Sequence, residues 1–321
     1  MPARPESPPA LPDIGDRVSL RYLRPPGSTP PMGDMLGHVV EAGPRVRVRS
    51  ADGVIHECRH ADVLYVRRLT DRPVKNSTIR SVEYAAALAW PGSAHQWLDG
   101  WFLRAGAGAD LSANSAVPLD MFAHAATIPA IIEWYERRGL SPCLALPERL
   151  WPAGGWLANR RREDIAALWE TRTLVRELSA PPADPPGAEV VVSGEPDAQW
   201  LAVSGDAGAP LDVLTAVIDG EVVFASVPSV AVGRAAVTTA ADGTRWLGLS
   251  AVAVSAAQRR RGHGRALGAA LLRWGHDRGA TRSYACVPSR DAAAFAFCAA
   301  LGFAGQHRTC YLDPRQSMVT R

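Results

Sequence analysis

Three consecutive arginines, Arg259, Arg260 and Arg261, run into Gly262-His263-Gly264 and a fourth arginine, Arg265, within the stretch VAVSAAQRRRGHGRALG from Val252 to Gly268. Cations and glycines at the mouth of a helix suit one kind of chemistry, the holding of a diphosphate. The first turn of a helix offers backbone N–H groups without partners, and its dipole favours an anion there. Glycine lets that backbone approach a phosphate closely, because no side chain intervenes. Lys75 is the chain's single lysine, so arginine carries the basic role throughout and each arginine means correspondingly less.

The spacing excludes two better-known phosphate loops. GxxxxGK[ST] is absent, and the third glycine of GxGxxG would fall on Leu267, the next glycine being Gly268. The surrounding elements are a strand and a helix. Trp246 to Val254, WLGLSAVAV, is continuously apolar, as a central strand buried on both faces would be. ALGAALLRW then sets Leu267, Leu271, Leu272 and Trp274 on one helical face. A strand SYACV follows, then SRDAAAFAFCAALGF as a helix, and QHRTCYL as a final strand.

Arg259-Arg260-Arg261-Gly262-His263-Gly264 resembles the acetyl-coenzyme A loop Q/R-x-x-G-x-G/A of the GNAT N-acetyltransferase superfamily, and Val254 stands five residues before the first arginine as in that family. The helix ending Leu301-Gly302-Phe303 resembles the family's fourth helix, with Asp291 where Asn is usual. The resemblance implies acetyl-CoA in a cleft between two parting strands. Its pantetheine arm would lie along Val252, Ala253 and Val254, and its diphosphate on the loop from Arg259 to Gly264 with Arg265 beside it. It also implies direct acetyl transfer to an amine, with a base taking a proton and an acid protonating the thiolate. The family's tyrosine acid is replaced here by Cys298; Cys298 and Tyr311 are the two candidates, and a buried cysteine is also simply a small hydrophobe. His263 would point along the cofactor or to solvent, and Asp291 also suits a helix cap.

A second segment repeats the first. Ile131-Ile132-Glu133-Trp134, ending Arg138-Gly139 and a strand to Pro147, stands 140 residues before Leu271-Leu272-Arg273-Trp274, ending Arg278-Gly279 and a strand to Pro288. Duplication is the favoured reading. LSANSAVPL would be the counterpart of WLGLSAVAV, with Asn114 either lining a shared cleft or fixing a turn. PLDMFAHAATIP has no arginine-glycine loop, so the first copy is expected not to bind acetyl-CoA.

The 321 residues are 47% hydrophobic and 21% charged with a net charge of +3, which suits ordinary folded domains and demands no nucleic acid. Five cysteines without a CxxC pair argue against disulfides and zinc, and a reducing cytoplasm is expected, with no metal. No apolar run approaches a membrane helix. The reading divides the chain into a disordered 1–12, an SH3-like β-barrel over 13–70, a hinge at 71–79, a degenerate GNAT-like half over 80–178, a proline-rich linker over 179–189, and a catalytic domain over 190–321. The fold class is thus α/β, a tandem GNAT fold after a small all-β barrel. Strands are expected at RVSLRYL, GHVVEA, RVRVRS, VIHEC and VLYVRR, with Asp52-Gly53 as a hairpin turn. Nucleic acid could meet the chain only through the barrel's Arg45, Arg47 and Arg49. The arrangement is similar to actinobacterial tandem acetyltransferases, including mycobacterial histone-acetyltransferase-like proteins. The expected partner is therefore an amine of a protein or a small molecule; the alternative is a non-catalytic acetyl-CoA sensor.

Overall fold

The computed structural model describes residues 9–69, 74–152, 154, 167–180, 189–205 and 209–317. The chain forms two compact units, residues 1–73 and 74–321.

In the first unit, β1 (Arg17–Leu23), β2 (Met32–Ala42), β3 (Arg45–Arg49), β4 (Ile55–Arg59) and β5 (Val63–Leu69) form an antiparallel sheet in the order β4-β3-β2-β1-β5. Alternation builds its core. Val18, Leu20, Val46 and Val48 are fully buried, while their neighbours along the strand face outward. Asp52-Gly53 turns the β3–β4 hairpin, with Gly53 at φ +85°. The arginines of β3 meet glutamates: Arg45 lies 3.4 Å from Glu57 and Arg47 3.5 Å from Glu41, so this face is of mixed charge. Two expectations change. β2 begins at Met32, five residues ahead of GHVVEA, and Leu11, placed in the expected tail 1–12, packs against the apolar core. Residues 1–8 lie outside the described residues.

The second unit opens with α1 (Asn76–Ala89), which corrects the hinge expected at 71–79: residues 76–79 are its first turn and Ile79 is fully buried. Residues 71–73 lie outside the described ones. β6 (Ala94–Leu98), β7 (Trp101–Ala105), β8 (Ser115–Pro118), α2 (Ile128–Glu136), β9 (Leu144–Pro147) and β10 (Trp169–Glu177) follow. Next come β11 (Val191–Ser193), α3 (Ala198–Ser204), α4 (Leu211–Thr215), β12 (Glu221–Val227), β13 (Ala231–Thr239) and β14 (Arg245–Val254). α5 (His263–Asp277), β15 (Arg282–Pro288), α6 (Ala292–Ala300) and β16 (Ala304–Leu312) complete the chain. Among the described residues no helix is long and apolar enough to cross a membrane.

All eleven strands of this unit share one sheet, in the order β11-β12-β13-β14-β15-β10-β16-β9-β8-β7-β6. β10 precedes the proline-rich stretch yet lies between β15 and β16, so each half of the sequence completes the sheet of the other. Most of that stretch, 181–188, lies outside the described residues. β14 carries its apolar run because α5 packs against one of its faces and α1 against the other, whereas β10 and β16 mix polar and apolar residues.

The repeated segments adopt the same local structure. β8 pairs in parallel with β9 across α2, and β14 in parallel with β15 across α5. Arg138 lies 3.7 Å over the Trp134 ring and Arg278 4.1 Å over the Trp274 ring. Gly139 at φ +68° and Gly279 at φ +76° end the two helices in the left-handed conformation that only glycine adopts readily.

Candidate active site

β14 pairs with β15 only from Trp246 opposite Arg282 to Leu249 opposite Ala285. Beyond Leu249 the strands part, and Ser250, Ala253 and Val254 keep a partner on the β13 side alone. The register slips there, between Val232 and Arg234, and Ala251 takes a positive φ of +49°. A non-glycine in that region costs on the order of 1–3 kcal/mol, held only where the surroundings fix it. The outcome differs from a strand buried throughout: Trp246–Leu249 are buried, whereas Val252, Ala253 and Val254 are half-buried and turn an unpaired backbone edge to the cleft.

From that edge the chain enters the arginine-glycine loop. Gly262 caps α5 at φ +88° with no side-chain cap, leaving the first amides of the helix without intrahelical partners. A Cβ on Gly262 would meet nothing, and one on Gly264 would make ordinary contact with Val254 at 3.5 Å and Phe297 at 3.6 Å. Backbone conformation, more than room, is therefore what requires glycine at 262. Arg259 donates to the Val254 carbonyl at 3.2 Å. Arg260, Arg261 and Arg265 are exposed and meet no carboxylate among the described residues. His263 opens the helix, with its Nδ1 buried and without a partner among the described residues. Asp291 caps α6, accepting from the Ala294 amide at 2.9 Å.

The cleft opens on a cavity of about 630 Å³. One face of the sheet forms its floor, through Tyr284, Cys286, Thr171, Thr309 and Tyr311, and α1 crosses above it with Glu83, Ala86 and Ala89. The four shortest side-chain hydrogen bonds between α1 and the sheet among the described residues fix the helix in place. Trp246 donates to Ser81 at 3.0 Å, Thr238 to the Ala85 carbonyl at 2.8 Å, and Arg234 to the Ala89 carbonyl at 2.9 Å. The fourth joins His307 Nε2 to Glu83 Oε1 at 2.8 Å.

Glu83 is 7% exposed. A carboxylate so placed is expensive unless it is hydrogen-bonded. Its Oε1 takes contacts from His307, from Thr173 at 3.2 Å and from Thr309 at 3.5 Å, and no described residue donates to Oε2. Burial works to raise the Glu83 pKa; the hydrogen bond and charge of His307, with the charge of Arg104, outweigh it and hold the group below its ordinary value. Glu83 thus stays an anion with one oxygen fixed and the other uncommitted. Sequence reading missed it, though the signal was present: Glu83 interrupts the apolar stripe Ile79–Val82–Ala86 of α1. His307 shares a strand face with Thr309 and Tyr311, two residues apart each time.

Cys298 and Tyr311 are separated by the fold. Tyr311 lines the cavity, packs against Trp169 at 4.9 Å between ring centroids, and has its phenol pushed up by burial. Cys298 does not line it. It sits 1% exposed in the apolar core beside Leu267, Leu271 and Leu301, its thiol pushed up to about 12 by burial and by Asp291. Tyr284 is a second buried phenol on the cavity floor, and Gly248 makes room for it: a Cβ there would stand 2.3 Å from its hydroxyl. Asn114 fixes a turn, donating to the carbonyls of Gly106, Ala109 and Asp110 and accepting from the Gly106 amide. The loop it holds, at Gly108–Asp110, forms part of the cavity mouth. Among the described residues no cluster of His, Cys, Asp and Glu is placed to hold a metal ion.

A family model described as "Probable histone acetyltransferase Rv0428c C-terminal" matches residues 76–312, and one described as "Rv0428c N-terminal Sm-like domain" matches residues 12–67. The protein named probable histone acetyltransferase Rv0428c, from Mycobacterium tuberculosis, is 48% identical over 308 residues, 96% of this chain and 97% of that one. Among solved structures, a GCN5-related N-acetyltransferase from Kribbella flavida is similar with a TM-score of 0.51 at 19% identity, covering 76% of this chain and 97% of that one. At that identity the likeness speaks to the fold.

Proposed function

Because the chain belongs to the family of the probable histone acetyltransferase Rv0428c, we propose that it transfers the acetyl group of acetyl-CoA to a primary amine by direct attack. The observation that carries this reading is the meeting of parted strands and buried carboxylate: β14 and β15 separate onto the same cavity that Glu83 lines.

The residues present fit the donor. The unpaired edge of Val252, Ala253 and Val254 supports binding of the pantetheine amides, and the first amides of α5 with Arg259, Arg260, Arg261 and Arg265 support binding of the diphosphate. Gly262 and Gly264 shape that loop, His263 stands at its helix start, and Asp291 serves as a cap. Acetyl-CoA supplies the activated thioester carbonyl. Glu83 Oε2 takes the proton that the amine loses as its nitrogen bonds the carbonyl carbon, and His307 keeps the carboxylate aimed as a positioning residue. Tyr311, protonated because burial raises it, gives its proton to the sulfur as the C–S bond breaks. Cys298, enclosed in the core, takes no part in this reading.

The first half shapes the cavity and supplies Glu83, while the second holds the donor. An anionic base beside the parted strands favours turnover over the sensor reading. The relative's name points to a protein acceptor; the acceptor class proposed is a primary amine of a protein or a small molecule. Release of coenzyme A thiol in the presence of an amine panel tests the proposal. Tight acetyl-CoA binding without turnover on any peptide, polyamine, amino acid or amino sugar would overturn it.

A further inference from the structure

Arg104 on β7 and Arg234 on β13 occupy matching places in the two halves. Each faces a serine of the adjoining strand, Ser115 and Ser250, and donates to its hydroxyl, at 3.3–3.4 Å and 3.2 Å respectively. Both are buried, at 6% and 1% exposure, and both line the cavity. They differ in how their donors are spent. Arg234 gives short bonds to the carbonyls of Leu214 at 2.6 Å and of Ala89 and Ala216 at 2.9 Å, and so ties loop and helix together. Among the described residues the Arg104 side chain makes three hydrogen bonds, to Ser115 and the Trp90 carbonyl, none shorter than 3.3 Å. A guanidinium has five N–H donors, so two of Arg104's are uncommitted, and no carboxylate of the described residues lies within ion-pair distance of it.

Burying a cation without a counter-anion is costly. Among the described residues that line it, the cavity holds two buried guanidiniums against one buried carboxylate, Glu83. Its other carboxylate, Asp110, is exposed at the mouth, with one oxygen taken by the amide and hydroxyl of Ser112. We propose that the acceptor is a small amine carrying a carboxylate, of amino-acid type, and that Arg104 binds this carboxylate through its uncommitted N–H groups while the amine reaches Glu83. Arg's planar fork matches a carboxylate bidentately. The lysine side chain of a polypeptide would bring an aliphatic stem and no anion to a guanidinium this deep. The charge of Arg104 already acts on Glu83, which ties the two sites together. This inference rests on the acetyltransferase reading.

The experiment compares matched acceptors that differ only in the carboxylate, lysine with cadaverine and tyrosine with tyramine, plus a histone-tail peptide, by coenzyme A thiol release. The wild type should favour the carboxylate-bearing member of at least one pair by about tenfold or more in kcat/KM. Arg104→Met should remove that preference, lowering kcat/KM for the carboxylate-bearing member about tenfold or more beyond any loss on the decarboxylated amine, which shares only the effect of Arg104 on Glu83; Arg104→Lys should restore part of it. Amine turnover without any such preference in the wild type overturns the inference even where the variants fail to fold. Equal loss by Arg104→Met on both members, or preference for the peptide over every amino acid, also overturns it. Absence of thiol release with all acceptors overturns the acetyltransferase reading and this inference together, whereas turnover on decarboxylated amines alone overturns only the inference.

Discussion

His307 Nε2 stands 2.8 Å from Glu83 Oε1, joining the last strand to the first helix of the second unit across 224 residues. Neither residue belongs to the arginine-glycine loop, and neither half of the repeat contains both. The pairing therefore makes the cavity a joint product of the two halves. It also gives the buried carboxylate a stability consequence.

Glu83 is held below its ordinary value of 4.5 in the folded chain. A depressed folded pKa contributes stability that is present above the unfolded value and lost as pH falls through the folded one. The stability difference between wild type and Glu83→Gln should therefore shrink as pH falls below about 4.5. Urea unfolding at several pH values checks this. A difference that grows in acid would contradict it.

Tyr311 and Cys298 predict opposite outcomes. Tyr311→Phe should lower kcat by about 10²-fold or more while acetyl-CoA affinity changes little, because a general acid typically contributes 10²–10⁴-fold. Cys298→Ala should leave kcat within about twofold and cost about 1 kcal/mol of stability, as loss of a small core side chain does. Steady-state kinetics with thermal melts separate the two; a large kcat loss in Cys298→Ala at an unchanged melting temperature would reverse the assignment.

Gly262 at φ +88° fixes how the first amides of α5 are presented. A Cβ there meets no steric neighbour, but a β-branched residue must adopt a left-handed backbone, at roughly 1–2 kcal/mol or more. Gly262→Val should weaken acetyl-CoA binding about tenfold or more and shift the melting temperature of the ligand-free protein by only a few degrees. Calorimetric titration reads the affinity. Unchanged binding would remove the loop from the donor site.

The missing loop in the first half predicts stoichiometry. Acetyl-CoA should bind once per chain, and that single site should be the one that Gly262→Val weakens. Equilibrium dialysis returning two sites would show that the first half binds the donor as well.

Much of this was legible in the sequence for a physical reason: local periodicity reports local elements. The apolar run before Arg259, the helical spacing of Leu267, Leu271 and Trp274, and the arginine-glycine endings at 138–139 and 278–279 each depend on residues close in the chain, and each is found in the fold. What local pattern cannot report is which strand pairs with which. β10 lies between β15 and β16 through hydrogen bonds to strands more than 100 residues away, and that insertion brings Thr173 to Glu83. Cys298 was singled out by its place in a motif, yet the side of α6 on which it falls packs into the core. Asn114 shows the converse, a polar residue in a strand counterpart whose hydrogen-bonding capacity is spent within its own turn.

In the proposed reaction Glu83, uncommitted at Oε2, accepts the amine proton during acetyl transfer. Single-turnover release of coenzyme A thiol by Glu83→Gln, at saturating acetyl-CoA and with a productive amine, tests it most directly. The variant's rate should fall about 10²–10⁴-fold below wild type with acetyl-CoA affinity unchanged within about twofold. A Glu83→Gln variant that binds acetyl-CoA and turns over at the wild-type rate would contradict it.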